Sequence, residues 1–64
     1  MKIVLNGEAR ESRAESLSDL LAECGFSGCV ATAVNEQFVP SSLRLALKLE
    51  DGDRVEVVAP MQGG

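Results

Sequence analysis

One stretch of this chain carries a clear helical period. Leu17, Leu20, Leu21 and Cys24 fall at i, i+3, i+4 and i+7 and make one apolar stripe. Ser16 stands where an N-cap belongs, with Asp19 three positions on as a weaker form of the capping box. Gly25 follows as the residue that ends the helix in the left-handed conformation. A helix of this kind must bury its stripe against another layer. The remainder of the chain reads as short extended pieces separated by turns, so that layer is a sheet. Cys24 lies on the stripe and is expected to point into the core as a small hydrophobe, not to act as a reactive thiol.

The extended pieces can be placed in order. Lys2-Ile3-Val4-Leu5-Asn6 is rich in β-branched and aliphatic residues and reads as a strand, and the dipeptide Asn6-Gly7 closes it. That dipeptide suits a type I′ turn, so Glu8 to Arg13 is predicted to return as a polar edge strand. Val30 to Val34 is a third strand, with Val30, Thr32 and Val34 on one face and Ala31 and Ala33 on the other. The small alanines suit close packing of a helix. Asn35-Glu36 reads as a turn before Gln37-Phe38-Val39, and Pro40 ends that piece. Residues 41–49 mix serines with alternating leucines and read as a helical turn followed by an extended segment. Glu50-Asp51-Gly52-Asp53 is a turn, and Arg54 to Ala59 is the last strand. Pro60 lacks a donor, so the sheet should stop beside it. The fold class is α+β: a mixed sheet packed on one main helix. The first and last strands are aliphatic on both faces and are expected side by side at its centre.

Composition narrows the function. A chain of 64 residues holds one domain, too small for both a core and an enclosed active site of ordinary size. The core must be aliphatic, because the aromatic residues are Phe26 and Phe38 alone. A net charge of −4 argues against nucleic acid and against an anionic membrane surface. It suits a partner with a basic face. The start MKIVLNGEAR does not resemble a signal peptide, and no apolar run approaches a membrane span, so a cytoplasmic location is expected. Two cysteines without histidine do not make a structural zinc site, and a disulfide is not expected in a reducing compartment.

The chain closes on PMQGG. Glycine costs the most backbone entropy to order and has no side chain to pack. Residues 1–59 are therefore expected as the folded body and 60–64 as an extended, flexible tail. Five residues reach at most about 18 Å, at 3.3–3.6 Å each, enough to enter the cleft of another protein. A tip without Cβ atoms fits a narrow passage. A terminal carboxylate is ionised at neutral pH and is a poor electrophile. To pass on its acyl group it must gain a better leaving group, and adenylation by ATP supplies one. No stretch has the spacing and lysine of a phosphate-binding loop, so a partner would do that chemistry with this chain as substrate.

A chain in the order β-β-α-β-β, with "NG" after the first strand, "AVNEQFVP" in the middle, "LEDGDRVEVV" near the end and a closing "GG", resembles the ThiS family. The resemblance covers essentially the whole chain. It implies the ubiquitin-like β-grasp fold and the role of a sulfur carrier in thiamine thiazole biosynthesis. An adenylating enzyme of the ThiF or MoeB type, using ATP and Mg, would activate Gly64. Sulfur from a persulfide, such as that of a cysteine desulfurase, would displace AMP and leave a thiocarboxylate. Thiazole synthase would then take the sulfur. The family's functional motif maps onto Gly63 and Gly64, and the carrier is not itself an enzyme and binds no cofactor.

Val58 lies on the strand face turned away from the helix. With Phe38 and Met61 it is a candidate docking patch for the activating enzyme, flanked by Arg54 and Glu56. Cys29, with no nearby histidine, is expected to be a plain loop residue. Other functions remain open at this point: a carrier for molybdopterin synthesis or tRNA thiolation, a ubiquitin-like protein modifier, or a redox module using Cys24 and Cys29. The isolated chain is expected to be a monomer.

Overall fold

The computed structural model describes residues 1–26 and 29–59. The elements are β1 (Lys2–Leu5), β2 (Glu8–Glu11), α1 (Leu17–Cys24), β3 (Ala31–Val34), β4 (Gln37–Val39), a 3₁₀ turn (Ser41–Leu43) and β5 (Arg54–Val58). The strands form one sheet in the order β2-β1-β5-β3-β4. β1 and β5 run parallel at its centre, as the aliphatic character of both strands predicts, and the other pairings are antiparallel. One helix held against a mixed sheet with its first and last strands joined in the middle is the β-grasp arrangement.

Both hairpin turns follow from local chemistry. Asn6 and Gly7 have φ of 50° and 85°, and Leu5 pairs with Glu8 across them. Asn35 and Glu36 have φ of 51° and 71°, and Val34 pairs with Gln37. Left-handed geometry at both central positions matches the twist of the flanking strands. A glutamate pays more than glycine for that geometry. The edge strand β2 stops at Glu11, two residues short of the predicted Arg13. There Ser12, buried, takes a hydrogen bond on its Oγ from the Ala14 amide at 3.0 Å and turns the chain toward the helix. Glu23 on α1 secures the same connection by accepting from the Arg13 amide at 3.1 Å.

The helix ends are as the residues predict. Ser16 Oγ accepts from the Asp19 amide at 3.1 Å. The Asp19 carboxylate accepts from the amide of Glu15 at 3.4 Å, one residue before the position of a strict capping box. The amides of Leu17 and Ser18 donate to the carbonyls of Leu47 and Arg44, at 3.0 and 3.1 Å. The segment after the 3₁₀ turn therefore completes the cap that the helix cannot make alone. At the other end Gly25 has φ 80°, its amide donates to Ala22, and the Phe26 amide donates to Leu21. This is the paired bonding of a Schellman stop.

The core lies between α1 and one face of the sheet. Ile3, Leu17 and Leu20 are fully buried, joined by Leu5, Leu21, Val39, Leu49, Val55 and Val57. Cys24 and Phe26 pack against its edge. Phe38 does not contribute, being 70% exposed. The third strand begins at Ala31, one residue later than predicted, and its faces are reversed relative to expectation. Thr32, 2% exposed, faces the helix, while Ala31 is exposed and Ala33 pairs with the exposed Phe38 and Glu56. The reason is that the Thr32 hydroxyl finds partners inside: it donates to the Val39 carbonyl at 2.8 Å. Burial of a hydrogen-bonded hydroxyl costs little. In residues 41–49 the 3₁₀ turn runs into a further turn over 44–46, and of the extended segment expected after it only an isolated bridge between Lys48 and Ser16 is present. Among the described residues no helix is long and apolar enough to cross a membrane.

Candidate functional site

β5 is the strand from which the chain runs on to residues 60–64. It is the central strand, held on one side by β1 and on the other by β3. The Val4 amide donates to the Asp53 carbonyl and the Asn6 amide to the Val55 carbonyl, both at 2.9 Å. At its start, the Asn35 amide donates to the Arg54 carbonyl at 2.7 Å, and the Arg54 amide donates to Asn35 Oδ1 at 3.0 Å. Asn35 Nδ2 also donates to the Asp53 carboxylate at 3.0 Å, which stiffens the turn before the strand. A strand fixed on both flanks is a firm base for whatever follows it.

Alternation along β5 turns Val55 and Val57 into the core and leaves Arg54, Glu56 and Val58 outward. Val58, 60% exposed, pairs with Ala31. Phe38 pairs with Ala33. Val58 and Phe38 thus share the outer face but do not adjoin. Two strand spacings and two residues of rise put them roughly 12 Å apart. The alanines between them make the strip continuous. Reading the sequence missed Ala31 and Ala33 as part of this surface, because it placed them under the helix. Their exposed hairpin partner Phe38 was the available signal. Arg54 faces Glu36 at 3.4 Å across the turn, with both side chains well solvated, so the pair adds little stability.

Phe38 also borders an open groove of about 710 Å³ between β4 and the segment 43–50, floored by Val34, Val39 and Leu47. It is a shallow surface feature and not an enclosed chamber. Cys24 is half-buried and Cys29 exposed, and both are free thiols. Among the described residues no group of histidine, cysteine or acidic side chains could hold a metal ion. The remaining candidates, Met61, Gly63 and Gly64, lie outside the described residues.

Residues 3–64 match the model of the ThiS family, a span that includes the closing glycine pair. The chain is 43% identical over 61 residues to a protein of Thermus thermophilus named sulfur carrier protein ThiS, covering 94% of this chain and 95% of that one. It is 41% identical over 66 residues to a thiazole synthase of Paramagnetospirillum magneticum. The match takes in the whole of this chain but spans only 20% of that protein's length. The crystal structure of a thiamine biosynthesis protein (ThiS) from Geobacter metallireducens superposes with a TM-score of 0.84 at 28% identity, each chain fully covered. A solution structure of a thiamine biosynthesis protein from the same organism gives a TM-score of 0.81 at 28% identity, covering all of this chain and 88% of that one.

Proposed function

This chain belongs to the ThiS family, and on that premise we propose that it is a sulfur carrier of thiamine thiazole formation, with Gly64 bearing the sulfur. Residues 1–59 are the folded body and 60–64 the tail that enters partner enzymes. An adenylating enzyme of the ThiF or MoeB type, with ATP and Mg, converts the Gly64 carboxylate into an acyl adenylate. The outer sulfur of a persulfide donor, such as that of a cysteine desulfurase, attacks the adenylate and displaces AMP to give an acyl disulfide. A thiol of the partner then cleaves its S–S bond, leaving a disulfide on the partner side and the thiocarboxylate on Gly64. Thiazole synthase then draws the sulfur from it. The carrier does no catalysis, binds no cofactor, acts in the cytoplasm and is a monomer when alone.

The observation that carries this reading is the family match running through Gly64 on a chain whose central strand leads to it. The thiazole synthase relative adds support: a stretch like this chain forms part of a protein with that name. Gly63 supports it chemically, since a tip with no Cβ lets a nucleotide and a partner backbone approach closely. The outer strip of Val58, Ala31, Ala33 and Phe38 offers apolar area to the enzymes that receive the tail. Arg54 and Glu56 beside it add charge that can select among them.

The test is intact mass spectrometry after co-expression with the adenylating enzyme and a sulfur source. The expected gain equals one oxygen exchanged for one sulfur, located to the C-terminal peptide. Oxidation of Met61 adds nearly the same nominal mass. The measurement is therefore repeated after alkylation, which tags a thiocarboxylate and leaves a methionine sulfoxide untouched. A gain that persists when Gly64 is deleted, or that vanishes when Cys24 and Cys29 are replaced, overturns the assignment.

A further inference from the structure

Asn6 serves the β1–β2 turn by accepting a φ of 50°, but its side chain has a second task at the far end of β5. The β1–β5 ladder proceeds by alternate residues of β5. The Asp53 carbonyl receives the Val4 amide, and the Val55 carbonyl receives the Asn6 amide. The next rung falls at Val57, where β1 has already turned away through Gly7. The Asn6 carboxamide fills that rung. The Val57 amide donates to Asn6 Oδ1 at 2.8 Å, and Asn6 Nδ2 donates to the Val57 carbonyl at 3.2 Å. A primary amide presents one donor and one acceptor side by side, as a peptide group of a neighbouring strand would. Beyond it the final pairing of β5 is that of Val58 with Ala31, on the β3 side.

We infer that Asn6 is a positioning residue for the 60–64 tail: by holding Val57 it fixes the point and direction from which the tail leaves the sheet. This rests on the reading that Gly64 is the reacting end. If the rung opens, the end of β5 is held from the β3 side alone, through the pairing of Val58 with Ala31, and the direction in which the chain leaves the sheet is no longer fixed. A misplacement of about 1 Å at a reacting group can cost about a hundredfold in rate. The body of the outer strip stays in place, so the defect belongs in kcat for adenylation more than in KM for the carrier.

Asn6→Gly separates the clamp from the turn. Gly-Gly is a favoured pair for a type I′ turn, so the backbone is unstrained while the carboxamide is gone. Asn35→Gly is the matched control. It removes the corresponding side-chain bonds at the opposite end of β5, also from a positive-φ turn position. Pyrophosphate exchange by the adenylating enzyme is measured for both variants at a temperature where circular dichroism shows each folded. Amide hydrogen exchange at Val57 is followed in parallel.

The expected result for Asn6→Gly is faster exchange at Val57 and a kcat lowered about tenfold, within the range that misplacement allows, with KM changed far less. Asn35→Gly keeps the wild-type kcat. Should Asn6→Gly fail to fold, Asn6→Asp keeps the acceptor for the Val57 amide while setting an oxygen against its carbonyl, and it should show the same split. Equal losses in the Asn6 and Asn35 variants reduce the role to general stability and overturn the proposal. Unchanged exchange at Val57 overturns the clamp whatever the rates are. A wild-type chain that is never adenylated overturns the carrier reading, and the exchange data then report on the clamp alone.

Discussion

Arg44 donates its Nε–H to the hydroxyl of Thr32 at 3.0 Å, on the inner face of β3. A second guanidinium nitrogen donates to the Val30 carbonyl. Because the Thr32 hydroxyl in turn donates to the Val39 carbonyl, one side chain from the segment after the 3₁₀ turn ties that segment to both strands of the β3–β4 hairpin. The Arg44 carbonyl meanwhile receives the Ser18 amide at the start of α1. Arg44 therefore links sheet, irregular segment and helix.

Thr32→Val keeps shape and β-propensity but removes both hydroxyl bonds. It leaves the Val39 carbonyl and the Arg44 Nε–H to find other partners. The expected cost is about 1–3 kcal/mol, the range for stranding a buried polar group. It is read as a lowered urea midpoint with an unchanged slope. A midpoint equal to wild type would show that water replaces the hydroxyl freely.

Leu20→Ala opens a cavity in the centre of the core, where Leu20 is fully buried. The expected loss is about 2–5 kcal/mol. In a domain with so thin a margin, thermal unfolding should begin near room temperature. Leu45→Ala is the contrast. Leu45 is 75% exposed, and its truncation should stay within about 0.5 kcal/mol of wild type.

Gly25→Ala tests the helix stop. A Cβ there meets nothing within 4 Å, so the penalty is conformational and comes from φ of 80°. It should cost about 1–2 kcal/mol by the left-handed backbone term. Gly25→Asn should recover part of that, since asparagine tolerates the region. If the two variants are equal in thermal scans, the stop is set by packing of Phe26 and not by the backbone.

Val58→Asp and Phe38→Ser probe the outer strip. Both side chains are largely exposed, so the midpoint of unfolding should move little. Adenylation at limiting carrier should slow in each. At roughly 12 Å apart, by strand geometry, the two should combine additively. Rates equal to wild type in the double variant would remove the strip from the docking surface.

Replacing Cys24 and Cys29 together by serine should leave sulfur uptake intact. The exposed Cys29 should cost nothing in stability. The half-buried Cys24 should account for whatever is lost, about 1 kcal/mol for a small apolar group made polar.

Features that depend on neighbours along the chain were legible before any fold was known. Asn6-Gly7, Asn35-Glu36 and Gly52 mark turns because positive φ is a property of single residues. Ser16 and Gly25 bound the helix because its unpaired backbone groups lie within reach of their own positions. The period of Leu17, Leu20, Leu21 and Cys24 chose the buried stripe, and aliphatic character on both faces chose the central strands. Pairings between distant segments were beyond such reading. Alternation in β3 shows that Thr32 and Ala33 face opposite ways, but not which way is in. That was decided by Arg44 and Val39, which supply bonds to a threonine that would otherwise have stayed in water. In the same way Asn6 was legible as a turn residue, but its hold on Val57, 51 positions along the chain, exists only once β1 and β5 lie side by side.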